Sequence, residues 1–211
     1  MDSTLILVDH PVLQHQLAIL RDKNTSSAVF RRTMNEMSRL VAYEATRDLA
    51  QEEVAIETPL EATTAKKCSH PPIVVSIMRA GNGMLDGLLS LMPFASAGHI
   101  GIYRDKFLNT TVEYYFRLPR KVAGKPVLLI DPLVATGDTA VACIERLNQY
   151  KAGPIRLLCL LISEEGLAKV HHFHPNVTIY AVSKERGLNE NGYLLPGIGD
   201  AGDRLYENQV R

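Results

Sequence analysis

The sequence predicts an α/β fold with a mostly parallel sheet covered on both faces. Three observations predict it. After Pro72 the chain alternates short apolar runs with helical text. The runs are β-branched and nearly continuous, as in strands buried on both faces. Before Gln51 the text is helical instead, with apolar residues at helical spacing.

"HPVLQHQLAILRD" carries Val12, Leu13, Leu17 and Leu20 at helical spacing, and the following segment sets Val29, Phe30, Met34, Met37, Leu40 and Val41 on one stripe. Ser26 or Ser27 suits the N-cap of that second helix. Residues 52–70 read as a short strand and a loop. "IVVSIM" (73–78) is a buried strand and "GNGMLDGLLSLMPF" the helix after it. "HIGIYR" (99–104) is a strand, and "VEYYFRLP" (112–119) alternates like half of a hairpin. "VLLID" (127–131) leads into the helix "TAVACIERLNQY" (139–150). "IRLLCLLIS" (155–163), the helix "EEGLAKVHHF" and "VTIYAVS" (177–183) complete the alternation. The last stretch, "GLNENGYLLPGIGDAGDRLYENQVR", is rich in turn residues and reads as an ordered loop over a site.

The 211 residues suit a single domain over 1–211, with 1–51 helical and 72–183 as core. Lys plus Arg and Asp plus Glu are 23 each, so the chain is not a generally basic nucleic-acid binder. Cys68, Cys143 and Cys159 are dispersed without CxxC spacing, which fits reduced thiols in a cytoplasmic protein. No secretion signal and no run long enough to span a membrane is present, so no membrane partner is expected. "HHFH" (171–174) lacks accompanying ligands at metal spacing and reads as a solvated helix end. Tyr114, Tyr115 and Phe116 read as packing between core and arm rather than as a base-stacking strip.

"VLLIDPLVATGDTA" carries the chemistry. A loop between a strand's carboxyl end and a helix N-terminus is where α/β proteins bind ligands, and free N–H groups there favour an anion. Ala135, Thr136 and Gly137 are small enough for a phosphate to approach, and Thr136 and Thr139 add hydroxyl donors. Asp131 would accept from a sugar's vicinal hydroxyls. Asp plus an anion cradle suggests a ribose 5-phosphate. The same spacing also suits an ordinary strand-to-helix turn with a Thr cap.

The string Asp-Pro-x-x-Ala-Thr-Gly resembles the phosphoribosyl pyrophosphate loop of type I phosphoribosyltransferases, and "IDPLVATG" resembles the uracil-specific branch in particular. "MRAGNGMLDGLL" resembles that family's pyrophosphate-loop segment, "GIYRDK…VEYYFRLP" its flexible arm, and "GLNENGYLLPGIGDAGDRLY" its uracil-binding segment. The resemblance runs from about residue 10 to 206.

It implies a parallel α/β core with a flexible arm and a small hood from 184–211. It also implies conversion of uracil and 5-phospho-α-D-ribose 1-diphosphate to UMP and diphosphate. Arg79, Arg104, Asp131 and Asp200 are the implied catalytic residues. With Pro132, Leu133, Val134, Ala135, Thr136, Gly137, Asp138 and Thr139 they make the donor site. Lys106 would add charge as the arm closes. Gly81, beside Arg79, suits unusual backbone angles. Leu194, Gly199, Asp200 and Ala201 line the base, with Leu194 and Pro196 as its apolar edge. Mg²⁺ would be held mainly by substrate oxygens. The resemblance further implies a homodimer or higher homo-oligomer, and GTP as an effector in some members. An RNA-binding regulator and a non-catalytic homologue are the alternatives.

Three departures stand out. Asp138 occupies a position where the family has a small residue, and a carboxylate pointing inward would repel the 5-phosphate. An outward Asp138 that caps the helix start would cost little. "LYENQVR" replaces the family's usual ending, and Asn82 stands where an aliphatic residue is usual.

Overall fold

The structure is a computed structural model that describes residues 5–105 and 110–207, side chains excepted at 104, 105 and 110. Strand β1 (Leu5–Leu7) leads into α1 (Pro11–Arg21) and α2 (Ser27–Ala45). His10 and Ser26 cap these helices, accepting from the N–H groups of Val12 and Val29. On α1, Leu13, Leu17 and Leu20 are buried while Val12 turns outward; on α2, Phe30, Met34, Met37 and Val41 are buried and Leu40 is at the edge. Each such large buried side chain contributes roughly 1.5–3 kcal/mol, which is why the stripe decides the helix.

Two antiparallel strands follow, β2 (Gln51–Glu57) and β3 (Ala62–Cys68). The expected short strand and loop is therefore a full ribbon. Its signal was weak because most of its side chains are polar and solvated, so only Val54, Ile56, Ala65 and Cys68 turn inward.

Then come β4 (Ile73–Met78), α3 (Asn82–Leu91), β5 (Ser96–Asp105), β6 (Thr110–Arg117), β7 (Val127–Ile130), β8 (Leu133–Val134) and α4 (Asp138–Gln149). β9 (Ile155–Leu158), β10 (Leu161–Ser163), α5 (Glu164–Phe173), β11 (Thr178–Ala181) and β12 (Ser183–Glu185) continue the alternation. The C-terminal segment folds as a small hairpin, β13 (Gly187–Leu188) with β14 (Leu194–Leu195), followed by α6 (Ala201–Tyr206). That last helix was not expected from its turn-rich text.

The main sheet has the order β1-β11-β9-β7-β4-β5-β6, parallel except for β6. Val74, Leu128 and Leu158 belong to an apolar layer with α1, α2, α3 and α6. Val75, Leu129 and Leu157 belong to a layer on the other face with α4 and α5. This two-sided burial explains the continuous apolar runs.

Two of those runs are not single strands. The Pro132 carbonyl accepts from both Leu160 and Leu161, and the Leu160 carbonyl from both Val182 and Ser183. The doubled bonds break β9 from β10 and β11 from β12 at one level. The offset strands form a second parallel sheet, β8-β10-β12. Aligned breaks across neighbouring strands re-aim the chain above β7, where the loop of interest begins.

No helix among the described residues is long and apolar enough to cross a membrane. The three cysteines are unpaired, with Cys143 and Cys159 buried. His172 and Phe173 end α5 in solvent, while a ring nitrogen of His174 meets the Val141 carbonyl; no metal-holding cluster occurs among the described residues.

Candidate active site

β4 is followed by β5 on one side and lies beside β7 on the other. The point between β4 and β7 is therefore a topological switch, where loops leave the carboxyl ends in opposite directions and open a crevice. One loop carries Arg79-Ala80-Gly81, and the other runs from Asp131 to Gly137.

The first loop packs on the end of β7, one residue before the second begins. A Cβ on Gly81 would lie 2.5 Å from the Ile77 carbonyl oxygen and 2.7 Å from that of Ile130. Gly81 itself has an ordinary helical backbone, φ −58°. The glycine is thus required by close approach, not by the unusual backbone angles expected of it. The Met78–Arg79 peptide is cis.

Asn82, which had no role from sequence, accepts a hydrogen bond at Oδ1 from the buried Ser76 hydroxyl (2.8 Å). That bond ties the start of α3 to β4.

Asp131, Leu133, Val134, Ala135, Thr136, Gly137, Thr139 and Ala140 enclose a small cleft of about 110 Å³ at the start of α4. Gly137 precedes the helix with φ 83°, and a Cβ there would lie 2.9 Å from the Gly166 carbonyl oxygen. Pro132 is buried behind the cleft.

Asp131 keeps part of its surface open to the cleft. Burial of its carboxyl nevertheless pushes the pKa up to about 7, opposed by a hydrogen bond from the Leu133 N–H. A carboxylate without a charged partner among the described residues, largely buried but open to the cleft, is poised to accept hydroxyl donors from a ligand.

Asp138 is held from two sides. The Thr136 hydroxyl donates to its Oδ2 and the Lys169 ammonium to its Oδ1, both at 2.9 Å. The Thr136 proton is therefore committed within the loop, a departure from its expected role as a donor to phosphate. Thr139 lines the cleft and its hydroxyl has no hydrogen-bond partner among the described residues.

Arg79 is exposed at the end of β4. Its guanidinium lies 6.0 Å from the centre of the Tyr206 ring, and the Tyr206 hydroxyl donates to the Arg79 carbonyl (3.1 Å). The unusual ending "LYENQVR" thus supplies a contact to the first loop. Arg104 lies on β5, but its side chain is outside the described residues, as is Lys106 altogether.

Asp200 caps α6, accepting at Oδ1 from the Asp203 N–H (2.9 Å). Ala201 is buried beside it, and Gly199 is exposed with φ 75°. Leu194 departs from its expected place at the base: its side chain packs in the core layer with α1 and α2, because β14 turns it inward. Pro196 is exposed after a cis Leu195–Pro196 bond. The N–H of Ile198 and both backbone groups of Gly199 have no hydrogen-bond partner among the described residues.

Sequence reasoning missed the supports behind these loops. Arg21 of α1 and Glu185 of β12 grip the segment before Gly199. Arg204 donates to the carbonyls of Leu20, Asp22 and Ile198. Arg21 and Glu185 are 164 residues apart, and Arg204 reaches Leu20 and Asp22 across 184 and 182, so no local pattern marks these contacts.

The family model for uracil phosphoribosyltransferase matches residues 7–208. Curated uracil phosphoribosyltransferases from Polaromonas naphthalenivorans and Rhodococcus jostii are 47% and 48% identical to the chain. Each comparison covers 97% of the chain and 98% of the relative. The solved structure of AQ2163 protein from Aquifex aeolicus superposes with a TM-score of 0.94 at 30% identity, covering 99% of this chain and 100% of that one. Adenine phosphoribosyltransferase from Leishmania donovani has a TM-score of 0.59 at 11% identity, covering 90% of this chain and 87% of that one, and shares the fold alone. By the match over 7–208 and by relatives nearly half identical along almost their whole length, the chain belongs to the uracil phosphoribosyltransferase family.

Proposed function

We propose that the chain transfers the phosphoribosyl group of 5-phospho-α-D-ribose 1-diphosphate to uracil, giving UMP and diphosphate. The observation that carries this reading is the packing of Gly81, two residues after Arg79, on the Ile130 carbonyl, one residue before Asp131, at the switch point of a chain of this family. In this reading a guanidinium, a carboxyl group and an anion cradle serve one crevice.

In this reading the backbone of Ala135 to Thr139, with the Thr139 hydroxyl, takes the 5-phosphate at the start of α4. Asp131 accepts from the ribose hydroxyls and orients the anomeric carbon. Arg79 faces the diphosphate, a planar donor set suited to its oxygens. Backbone groups from Ile198 to Ala201 hold the flat base. Two reactants held in line at one carbon gain most from orientation, because developing charge there is oxocarbenium-like.

Asp131 is the one carboxyl group in the cleft lining, and no cluster of three or more His, Cys, Asp or Glu side chains able to hold an ion occurs among the described residues. That donor set fits Mg²⁺ carried chiefly by substrate oxygens, with Asp131 as its neighbour. When bound, the cation supplies positive charge to the leaving diphosphate.

Self-association belongs to the same reading. Val12, Leu40 and Tyr43 stay open on the helical face, and Leu60, 95% exposed, tips the β2–β3 ribbon. No observation favours the RNA-binding or non-catalytic alternatives. The test is formation of UMP from labelled uracil with donor and Mg²⁺, repeated with Asp131→Asn. The intact protein should make UMP and the variant far less; no UMP from the intact protein would overturn the reading.

A further inference from the structure

We propose that Lys169 of α5 is a positioning residue for the phosphate loop, which neutralises the Asp138 carboxylate and lets this loop accept an anion. The inference rests on the reading of Ala135 to Thr139 as a 5-phosphate cradle.

Four contacts tie α5 to the back of that loop. The Ser163 hydroxyl caps α5 by accepting from the Gly166 N–H, and donates to the Ala135 carbonyl. Gly166 lies so close to the loop that a Cβ there would be 2.5 Å from the Ala135 carbonyl oxygen. Gly137 in turn packs on Gly166 and on the Cβ of Lys169. The Lys169 ammonium ends on Asp138 Oδ1 at 2.9 Å. Gly166 and Lys169, three residues apart, share one face of α5, and Ser163 is the cap at its start.

The charges decide what this face does. Asp138 is the first residue of α4, where the free N–H groups and the helix dipole would otherwise favour the substrate's phosphate. A bare carboxylate at that point competes with the phosphate and repels it. Lys169 and Asp138 keep side-chain exposures of only 29% and 26%, so the pair is screened less than a surface pair. The Thr136 hydroxyl takes the other carboxylate oxygen and fixes its direction. Together they turn a loop with one negative charge too many into a locally neutral one, and pin it to α5.

A double-mutant cycle tests this, using Lys169→Met, Asp138→Asn and the pair together. Lys169→Met should raise the KM for the donor roughly tenfold, the scale of one partly buried charge, with kcat and the KM for uracil nearly unchanged. Asp138→Asn should lower the donor KM, because Lys169 is then uncompensated. The double variant should return close to the native value, and Lys169→Arg should match it. A purely structural lysine would move the KM values and kcat together, and Asp138→Asn would not rescue it; that result overturns the inference. Should Lys169→Met fail to fold, Asp138→Asn alone decides, since an unchanged or raised donor KM contradicts neutralisation. Calorimetric titration with ribose 5-phosphate separates the two readings. Protein that makes no UMP but loses ribose 5-phosphate binding in Lys169→Met retains the inference and loses the base assignment. Protein that makes UMP with an unaltered donor KM and unaltered ribose 5-phosphate affinity in Lys169→Met loses only the inference.

Discussion

Arg21 and Glu185 form a two-pronged ion pair, Nη2 to Oε1 at 2.7 Å and Nη1 to Oε2 at 2.9 Å, that fastens α1 to the segment before Gly199. Glu185 Oε2 also accepts from the Gly197 N–H, its Oε1 from the Ser183 hydroxyl, and Arg21 donates to the Gly197 carbonyl. The ion pair thus fixes both backbone groups of Gly197, two residues before Gly199: the carboxylate takes its N–H and the guanidinium its carbonyl. Burial pushes the Glu185 carboxyl up, but Arg21, Gly197 and Ser183 together outweigh it and hold it below its usual range.

Removing Glu185 should therefore loosen that segment and the fold together. The Glu185 side chain is 1% exposed and that of Arg21 26%, so the stranded guanidinium recovers some hydration. Glu185→Ala should cost about 2–4 kcal/mol in urea unfolding, toward the lower end for a buried pair. A lowered carboxyl pKa contributes stability that is present above the unfolded value, near 4.3, and is lost as pH falls through the folded one. Native protein should lose stability below about pH 4 more steeply than an Arg21→Met, Glu185→Leu double variant. Parallel acid curves would remove the pair from the account.

Asp131→Asn separates stability from activity. A raised carboxyl pKa means that stability is fully present below the unfolded value and lost as pH rises through about 7. Because the cleft admits solvent, the cost of the charge at pH 8 should be about 1–2 kcal/mol, less than the full shift implies. Asp131→Asn should then be more stable than the native protein at pH 8 by that amount, and equal to it near pH 4. Turnover should fall by at least a factor of about 100 if the carboxylate orients the sugar. A variant with native turnover would remove Asp131 from the site.

The two loop threonines should behave differently. Thr139 has a hydroxyl to give, so Thr139→Val should raise the donor KM about tenfold, the loss of one charge-assisted hydrogen bond. Thr136 already donates to Asp138. Thr136→Val should raise the donor KM by no more than about threefold, as a neutral-scale loss acting through Asp138. The comparison is made with steady-state kinetics at saturating uracil, and the reverse order would mean that Thr136 turns to the phosphate when the donor binds.

Base choice should rest on main-chain groups. Uracil presents acceptor, donor, acceptor along O2, N3–H and O4, and the Ile198 N–H with the N–H and C=O of Gly199, unpaired among the described residues, can answer such an edge without side chains. Peptide groups cannot exchange roles as an amide side chain can, so cytosine should be disfavoured on the order of 10⁴-fold in kcat/KM. A Cβ at Gly199 would meet nothing closer than Arg204 Cδ at 3.8 Å, so its φ of 75°, not crowding, makes glycine necessary. Gly199→Val should abolish uracil use and leave donor titrations unchanged. Comparable use of cytosine by the native protein would exclude main-chain readout.

By itself the sequence determined the α/β class, because burial on both faces leaves β-branched runs that helix-forming text must separate. It also marked the candidate site, since a carboxylate at a strand end followed by Ala-Thr-Gly before a helix is a local pattern. Its likeness to the phosphoribosyltransferases rested on such local strings, and the chain proved to belong to that family. Tertiary structure decided what those strings touch. Asp138 turned out to be paired with Lys169, a residue 31 positions away that no local period announces. Gly81 is needed because β4 and β7 run side by side, a neighbourhood set by sheet order and not by the turn itself. The split of "IRLLCLLIS" came from one carbonyl, that of Pro132, accepting two hydrogen bonds across strands. Periodicity records whether a side chain faces the core or the solvent; which charge meets it there depends on elements that only folding brings together.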